Sequence, residues 1–178
     1  MFIIEDTRQK KEKHENKHRY WVGSGTPWIR SGLPFGDYWA APDVAVDTKQ
    51  DIKEVAVNLC GNGKERKRFR DECDKAKTAG CMLVFLIEDK HYTDIDDLFG
   101  ERIWIHDGRI ISGDSISQEM YSLQERFGVR FRFCSPADAG RMVVEILEEG
   151  GNASTDRVGR SSPKTVGIRH LEKPQAVR

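Results

Sequence analysis

The sequence predicts an α/β fold in which a central mixed β-sheet is flanked by α-helices. Residues 81–87 form an unbroken apolar run, the mark of a strand covered on both faces. Apolar residues recur at helical spacing on both sides of that run. Ahead of it lie short strand candidates, two of them separated by a Pro-Asp turn and suited to a hairpin. The 178 residues suit one domain plus a tail, and 38% hydrophobic with 33% charged residues reads as soluble and globular. The formal net charge is +0, so a nucleic-acid partner would have to be met by a local basic patch. The four cysteines (Cys60, Cys73, Cys81, Cys134) have no C-x-x-C spacing, and no secretory signal is recognisable. Free thiols in a reducing, cytoplasmic compartment are expected. No apolar run approaches the roughly 20 residues of a membrane helix.

Residues 1–6 read as a short strand that ends in acids, followed by Thr7 and Arg8. The run 9–19, with Lys10, Lys11, Lys13, Lys17 and Arg19, reads as a solvated loop or frayed helix, or else as a flexible arm on DNA phosphates. His14 and His18 stand four apart, but no thiol or third histidine completes a metal set. Residues 21–36 hold three glycines before Gly36 and two prolines, which predicts loop with one short strand at 28–30. Neither Gly23 with Gly25 nor Gly61 with Gly63 has the context of a phosphate loop.

Tyr38 to Ala40 and Val44 to Val46 then predict the hairpin. Asp47 and Lys49 lie two apart, hence on one face of an extended chain, and pairing of the strands would bring Asp37 to Asp47. Two carboxylates and an ammonium at one point are the minimum for holding a hard divalent cation beside a phosphate. Ile52, Val55, Ala56 and Leu59 mark a first helix that stops at Gly61. A second runs from Glu65 to about Thr78, buried along Phe69, Cys73 and Ala76. The central strand at 81–87 is closed by Glu88 and Asp89, with Glu88 read as a strand terminus in preference to a fourth acid of the site. Asp94, Asp96 and Asp97 fit the first turn of a short helix, and Asp107-Gly108 a hairpin turn between 103–105 and 109–111. Ile116, Met120, Leu123 and Phe127 predict a helix capped by Gly128, and residues 129–134 a strand with one apolar face. Ser135 and Pro136 look like the start of a final helix that ends at Gly150-Gly151. Residues 151–178 are expected to be a disordered, modestly basic tail behind a domain of residues 1–150.

These residues carry a resemblance. Asp37 followed by Asp47-x-Lys49 fits the PD-(D/E)xK nuclease pattern, and the chain resembles more narrowly the nuclease domain of XPF-type, structure-specific endonucleases. Ile4 to Arg8 resembles that family's first strand, which ends V-D-x-R-E. Gly36-Asp37-Tyr38 matches its G-D-Y, Val46 to Lys49 stands where it has V-E-R-K, and Leu86-Ile87-Glu88 where it has L-I-E. The fragments fall in the right order over about residues 1–149. The chain departs from the pattern at Asp47 for glutamate, Thr48 for arginine and Gln9 for an acid. At Lys53 a family aspartate is missing, for which Asp51 or Glu54 could stand in.

The resemblance implies a restriction-endonuclease-like core and a Mg²⁺- or Mn²⁺-dependent DNA endonuclease acting on branched or recombination and repair DNA. It implies Asp37 and Asp47 as metal ligands with the carbonyl of Thr48, and Lys49 as the group that positions the attacking water or stabilises charge on the phosphate in the transition state. Asp6, counted with the catalytic residues, would hold a second metal or orient the ligands of the first, while Arg8 and Arg68 would grip the DNA backbone. A homodimer would use Phe131, Phe133, Met142 and Ile146. Against each role stands a plainer one: turn residue for Asp37, surface pair for Asp47 with Lys49, strand-end cap for Asp6, helix-surface cation for Arg68. The rival functions are a non-catalytic DNA-binding or scaffold subunit and a restriction-type, sequence-specific nuclease.

Overall fold

The structure, a computed structural model, describes residues 1–8, 14–40 and 43–158, the last eight as backbone only. In chain order the elements are β1 (Ile3–Asp6), α1 (Glu15–Ser24), β2 (Trp28–Ser31), β3 (Tyr38–Ala40), β4 (Val44–Lys49), α2 (Ile52–Cys60) and α3 (Gly63–Thr78). There follow β5 (Met82–Glu88), β6 (Arg102–Trp104), β7 (Ile110–Ser112), α4 (Gly113–Phe127), β8 (Arg130–Cys134) and α5 (Ala139–Val158). Six strands form one sheet in the order β2-β1-β3-β4-β5-β8, and β6 with β7 makes a separate hairpin. β3 is antiparallel to both of its neighbours, and every other pair in the main sheet is parallel. The ends of β1, β4 and β5 therefore share one edge with the beginning of β3.

Strand alternation divides the core in two. Ala45, Leu83, Phe85, Ile87 and Phe131 face α2, α3 and α4. Ile3, Tyr38, Val46, Val84 and Leu86 face α1 and α5. This double coverage explains the unbroken apolar run of β5. The helices expected at 52–59 and 65–78, the hairpin at 38–46 and the αL cap at Gly128 (φ 73°) are all present. All four cysteines are free, and among the described residues no helix is long and apolar enough to cross a membrane.

Four local expectations are corrected. The charged run contains α1, which extends through Trp21 to Ser24, where loop was expected; residues 9–13 lie outside the described residues. Its buried positions, Lys17 and Trp21, are four apart, and Trp21 Nε1 donates to the carbonyl of Gly140 at 3.0 Å. The final helix begins at Ala139, because Ser135 and Asp138 first close a turn: the Ser135 hydroxyl donates to Asp138 at 2.7 Å. It does not end at Gly150 but runs to Val158. Gly150 serves close packing there, since a Cβ on it would lie 1.9 Å from Val44 Cγ2. The proposed dimer residues Phe131 and Ile146 are core, and only Phe133 and Met142 are partly open. The rest of the expected tail, residues 159–178, lies outside the described residues.

Phe85 is fully buried between Phe69 and Phe131, with ring centroids 4.3 Å and 5.3 Å away. Phe85→Ala should cost about 3–5 kcal/mol in urea unfolding. Trp104→Ala, at a side chain 61% exposed, should change stability by less than about 0.5 kcal/mol in the same assay.

Candidate functional site

Asp37 precedes the Tyr38–Val46 pair of the hairpin, so the register sets it opposite Asp47. Its backbone N–H donates to the Val46 carbonyl at 2.8 Å. Gly36 makes the entry into β3 with φ of 69°, where a Cβ would also sit 3.2 Å from the Val46 oxygen. The Asp37 carboxylate accepts from the N–H of Thr48 at 2.8 Å and from its hydroxyl at 2.6 Å. Asp47 and Lys49 emerge on one face, as expected, and form an ion pair. Asp37, Asp47 and Lys49 are all at least nine-tenths buried, and the Lys49 ammonium lies 5.6 Å from the Phe69 and Phe85 ring centroids.

Burial, then the neighbouring charge of Asp47, pushes the Asp37 pKa up to about 7 against the opposing pull of Lys49 and Thr48. For Lys49, burial opposes the charge, but Asp47 and Asp37 outweigh it and hold the pKa above the usual lysine value. Lys49 is thus a cation at neutral pH.

Asp6 ends β1 beside this group, its N–H donating to the Asp37 carbonyl at 2.8 Å. Burial alone would raise its pKa; Arg8, whose Nε donates to it at 2.6 Å, and the Leu33 amide hold it below the ordinary value. Arg8 also donates to the Leu33 carbonyl at 2.7 Å, so this cation is already tied into the loop. Arg68 stands exposed on α3 and makes no ion pair among the described residues.

Glu72, which the sequence reading passed over, belongs to the same group. It accepts from the N–H of Gly36 at 2.8 Å, which clamps the turn that launches Asp37. Burial, then the charge of Asp47, raises its pKa to about 7. Its signal was present: it falls three residues after Phe69 and one before Cys73, so it borders the buried stripe of α3. Asp51, in contrast, caps α2 by accepting from the Glu54 N–H at 2.8 Å. Glu54 accepts from the Gln50 N–H at 2.9 Å.

Asp37, Asp47, Lys49 and Glu72, with Asp6, Arg8, Glu54 and Arg68 but not Asp51, line a cavity of about 570 Å³ at the common strand edge. Its other wall comes from α1 and the end of β5, where Lys17 ion-pairs with Glu88. Glu88 is therefore a cleft residue, which favours the alternative of a further acid beside the site over a bare strand end. His14, which also lines the cavity, contacts the Tyr38 hydroxyl, and His18 pairs with Glu5 at 2.6 Å, so both histidines tie α1 to the sheet. Six carboxylates and four lysine or arginine cations line the cavity, an excess of negative charge. Among the described residues no group of three histidine, cysteine or acidic side chains is spaced to hold a metal ion. Asp37 and Asp47 supply hard oxygen donors only. That set suits Mg²⁺ or Mn²⁺, which take one or two carboxylates and keep several waters, and it does not suit zinc.

No protein-family model and no curated protein matches the sequence. Among solved structures, XPF from Aeropyrum pernix is similar with a TM-score of 0.60 at 15% identity, over 89% of this chain and 69% of that one. XPF from Aeropyrum pernix in complex with DNA is similar with a TM-score of 0.61 at 15% identity, over 93% and 76%. The chain accordingly shares the α/β fold of these XPF structures, a six-stranded mixed sheet flanked by helices.

A carboxyl whose pKa rises on folding binds protons that the unfolded chain has released, so its burial lowers stability as pH climbs through the interval from 4.5 to about 7. Glu72→Gln keeps an acceptor for Gly36 and removes that charge. The variant should melt above wild type at about pH 8, by on the order of 2 kcal/mol or roughly 5 °C, and the gap should close below about pH 5. Calorimetry of the metal-free proteins across that range measures it.

Proposed function

Starting from the XPF nuclease fold, we propose that this chain is a metal-dependent DNA endonuclease that hydrolyses phosphodiester bonds, with branched DNA of recombination and repair as its substrate. The observation that carries the reading is the convergence of Asp37, Asp47 and Lys49, delivered by one hairpin, on the cavity at the strand edge. Asp37 and Asp47 would hold Mg²⁺ or Mn²⁺, with the carbonyl of Thr48 as a further oxygen donor. The bound ion would polarise the phosphate and acidify a coordinated water.

The chain's own groups then have distinct tasks. Lys49, paired with Asp47 at the edge of the cavity, donates to a phosphate oxygen and offsets the charge that builds there. Asp47 aims Lys49 through their ion pair. Thr48 fixes the Asp37 carboxylate, and Asp6 orders both Arg8 and the Asp37 peptide. Arg8 and Arg68 grip the DNA backbone without regard to sequence. Both aspartates are occupied internally, by Thr48 and Lys49, an arrangement that a non-catalytic DNA-binding subunit could also carry.

Cleavage of a labelled branched duplex separates these readings. Wild type should nick it only with Mg²⁺ or Mn²⁺, while Asp47→Ala and Lys49→Ala lose about 10²–10³-fold in rate. Equal binding by wild type and Asp47→Ala, with cutting by neither, would establish the binding-subunit reading. Cuts at fixed sites on linear duplex would establish a restriction-type enzyme.

A further inference from the structure

α1 buries one charged residue, and it does so against several local preferences. Lys17 is 2% exposed and lies in the first turn of the helix, where the positive end of the helix dipole disfavours a cation. Its ammonium pairs with Glu88, itself largely buried, and removing both charges from water is costly. Tyr38, Val84, Leu86 and Cys134 make up the apolar core on this face of the sheet, so an apolar pair of similar volume would serve packing at least as well. Departures of this kind from local rules concentrate at functional sites.

The placement gives the departure a use. Lys17 and Glu88 line the same cavity as Asp37, Asp47 and Lys49. Lys49 is in register with Ile87, the residue before Glu88. Side chains alternate along a strand, so Lys49 and Glu88 leave the sheet edge on opposite faces. Two lysine–acid pairs, Lys49 with Asp47 and Lys17 with Glu88, therefore flank one edge. We propose that Lys17 is a phosphate-binding residue that contacts the DNA backbone beside the cleavage point. Glu88 holds it in the empty cleft and yields it to a phosphate when DNA enters. The assignment rests on the nuclease reading and adds to it a strand path across the sheet edge, with a cation on either side.

The test measures DNA binding by fluorescence anisotropy, without divalent metal, on a labelled branched duplex from about 50 to about 200 mM salt. The double variant Lys17→Met/Glu88→Leu removes both charges and conserves shape. It should remain folded, bind severalfold more weakly, and lower the slope of log Kd against log salt by about one. Glu88→Gln, which keeps Lys17 but removes its competitor, should bind more tightly than wild type. Wild-type affinity and slope in a folded double variant would overturn the assignment and reduce the pair to a structural one. If the double variant fails to fold, unchanged affinity in Glu88→Gln overturns it equally. A wild type that cuts with metal while these variants bind normally loses only the Lys17 assignment; a wild type that neither binds nor cuts DNA loses the nuclease reading, and this one with it.

Discussion

Because β3 runs against β1 and β4, its first residue stands beside their last ones, and most of what is distinctive in this molecule follows from that reversal. A fully parallel sheet would set Asp37 at the far end from Asp47. With β3 reversed, Asp37, Asp47 and Lys49 come from one hairpin, and the ends of β1 and β5 add Asp6 and Glu88. The placement relies on backbone pairing and on the Gly36 turn, so it does not depend on long side chains finding one another. Rigid elements of this sort hold a reacting group more tightly than loops do.

The charges gathered at the edge are not balanced. Lys49 answers to Asp37, Asp47 and Glu72 together, and burial beside one another's charge raises Asp37 and Glu72 to pKa values of about 7. An apolar replacement would make a more stable scaffold, since buried ion pairs contribute little net stability. Keeping several such groups in one hollow, on a sheet whose two cores are otherwise apolar, separates the edge from the rest of the fold. Strain confined to one place in a well-packed domain is the usual pattern where activity and stability compete.

Much of this was legible in the chain. The hairpin, the buried stripes of α2 and α3, and β5 each follow a period that burial alone dictates, and each lies where that period sets it. What escaped reading were residues whose type conceals their environment. Lys17 and Trp21 keep helical spacing across the boundary between a run of charge that reads as solvent-facing and a stretch that reads as loop. Glu72 and Glu88 look like surface acids until tertiary contacts bury them. Gly150 has the composition of a helix stop but answers to the approach of Val44. Phe131 and Ile146 were set on a surface because alternation cannot tell a face covered by its own chain from one awaiting a partner.

The hydrogen bond from Trp21 to Gly140 joins positions 119 residues apart, and a Cβ at Gly140 would come within 2.7 Å of Tyr20. α1 owes part of its seat to a helix made near the end of the chain. α1 rests on the sheet through His18 and Trp21, but the further anchor for Trp21 comes from α5, so the cavity wall that α1 carries is complete only after α5 has been made. The nascent chain thus carries Asp37, Asp47 and Lys49 through the synthesis of every element from α2 to β8 without a completed cleft, a delay built into the order of its parts.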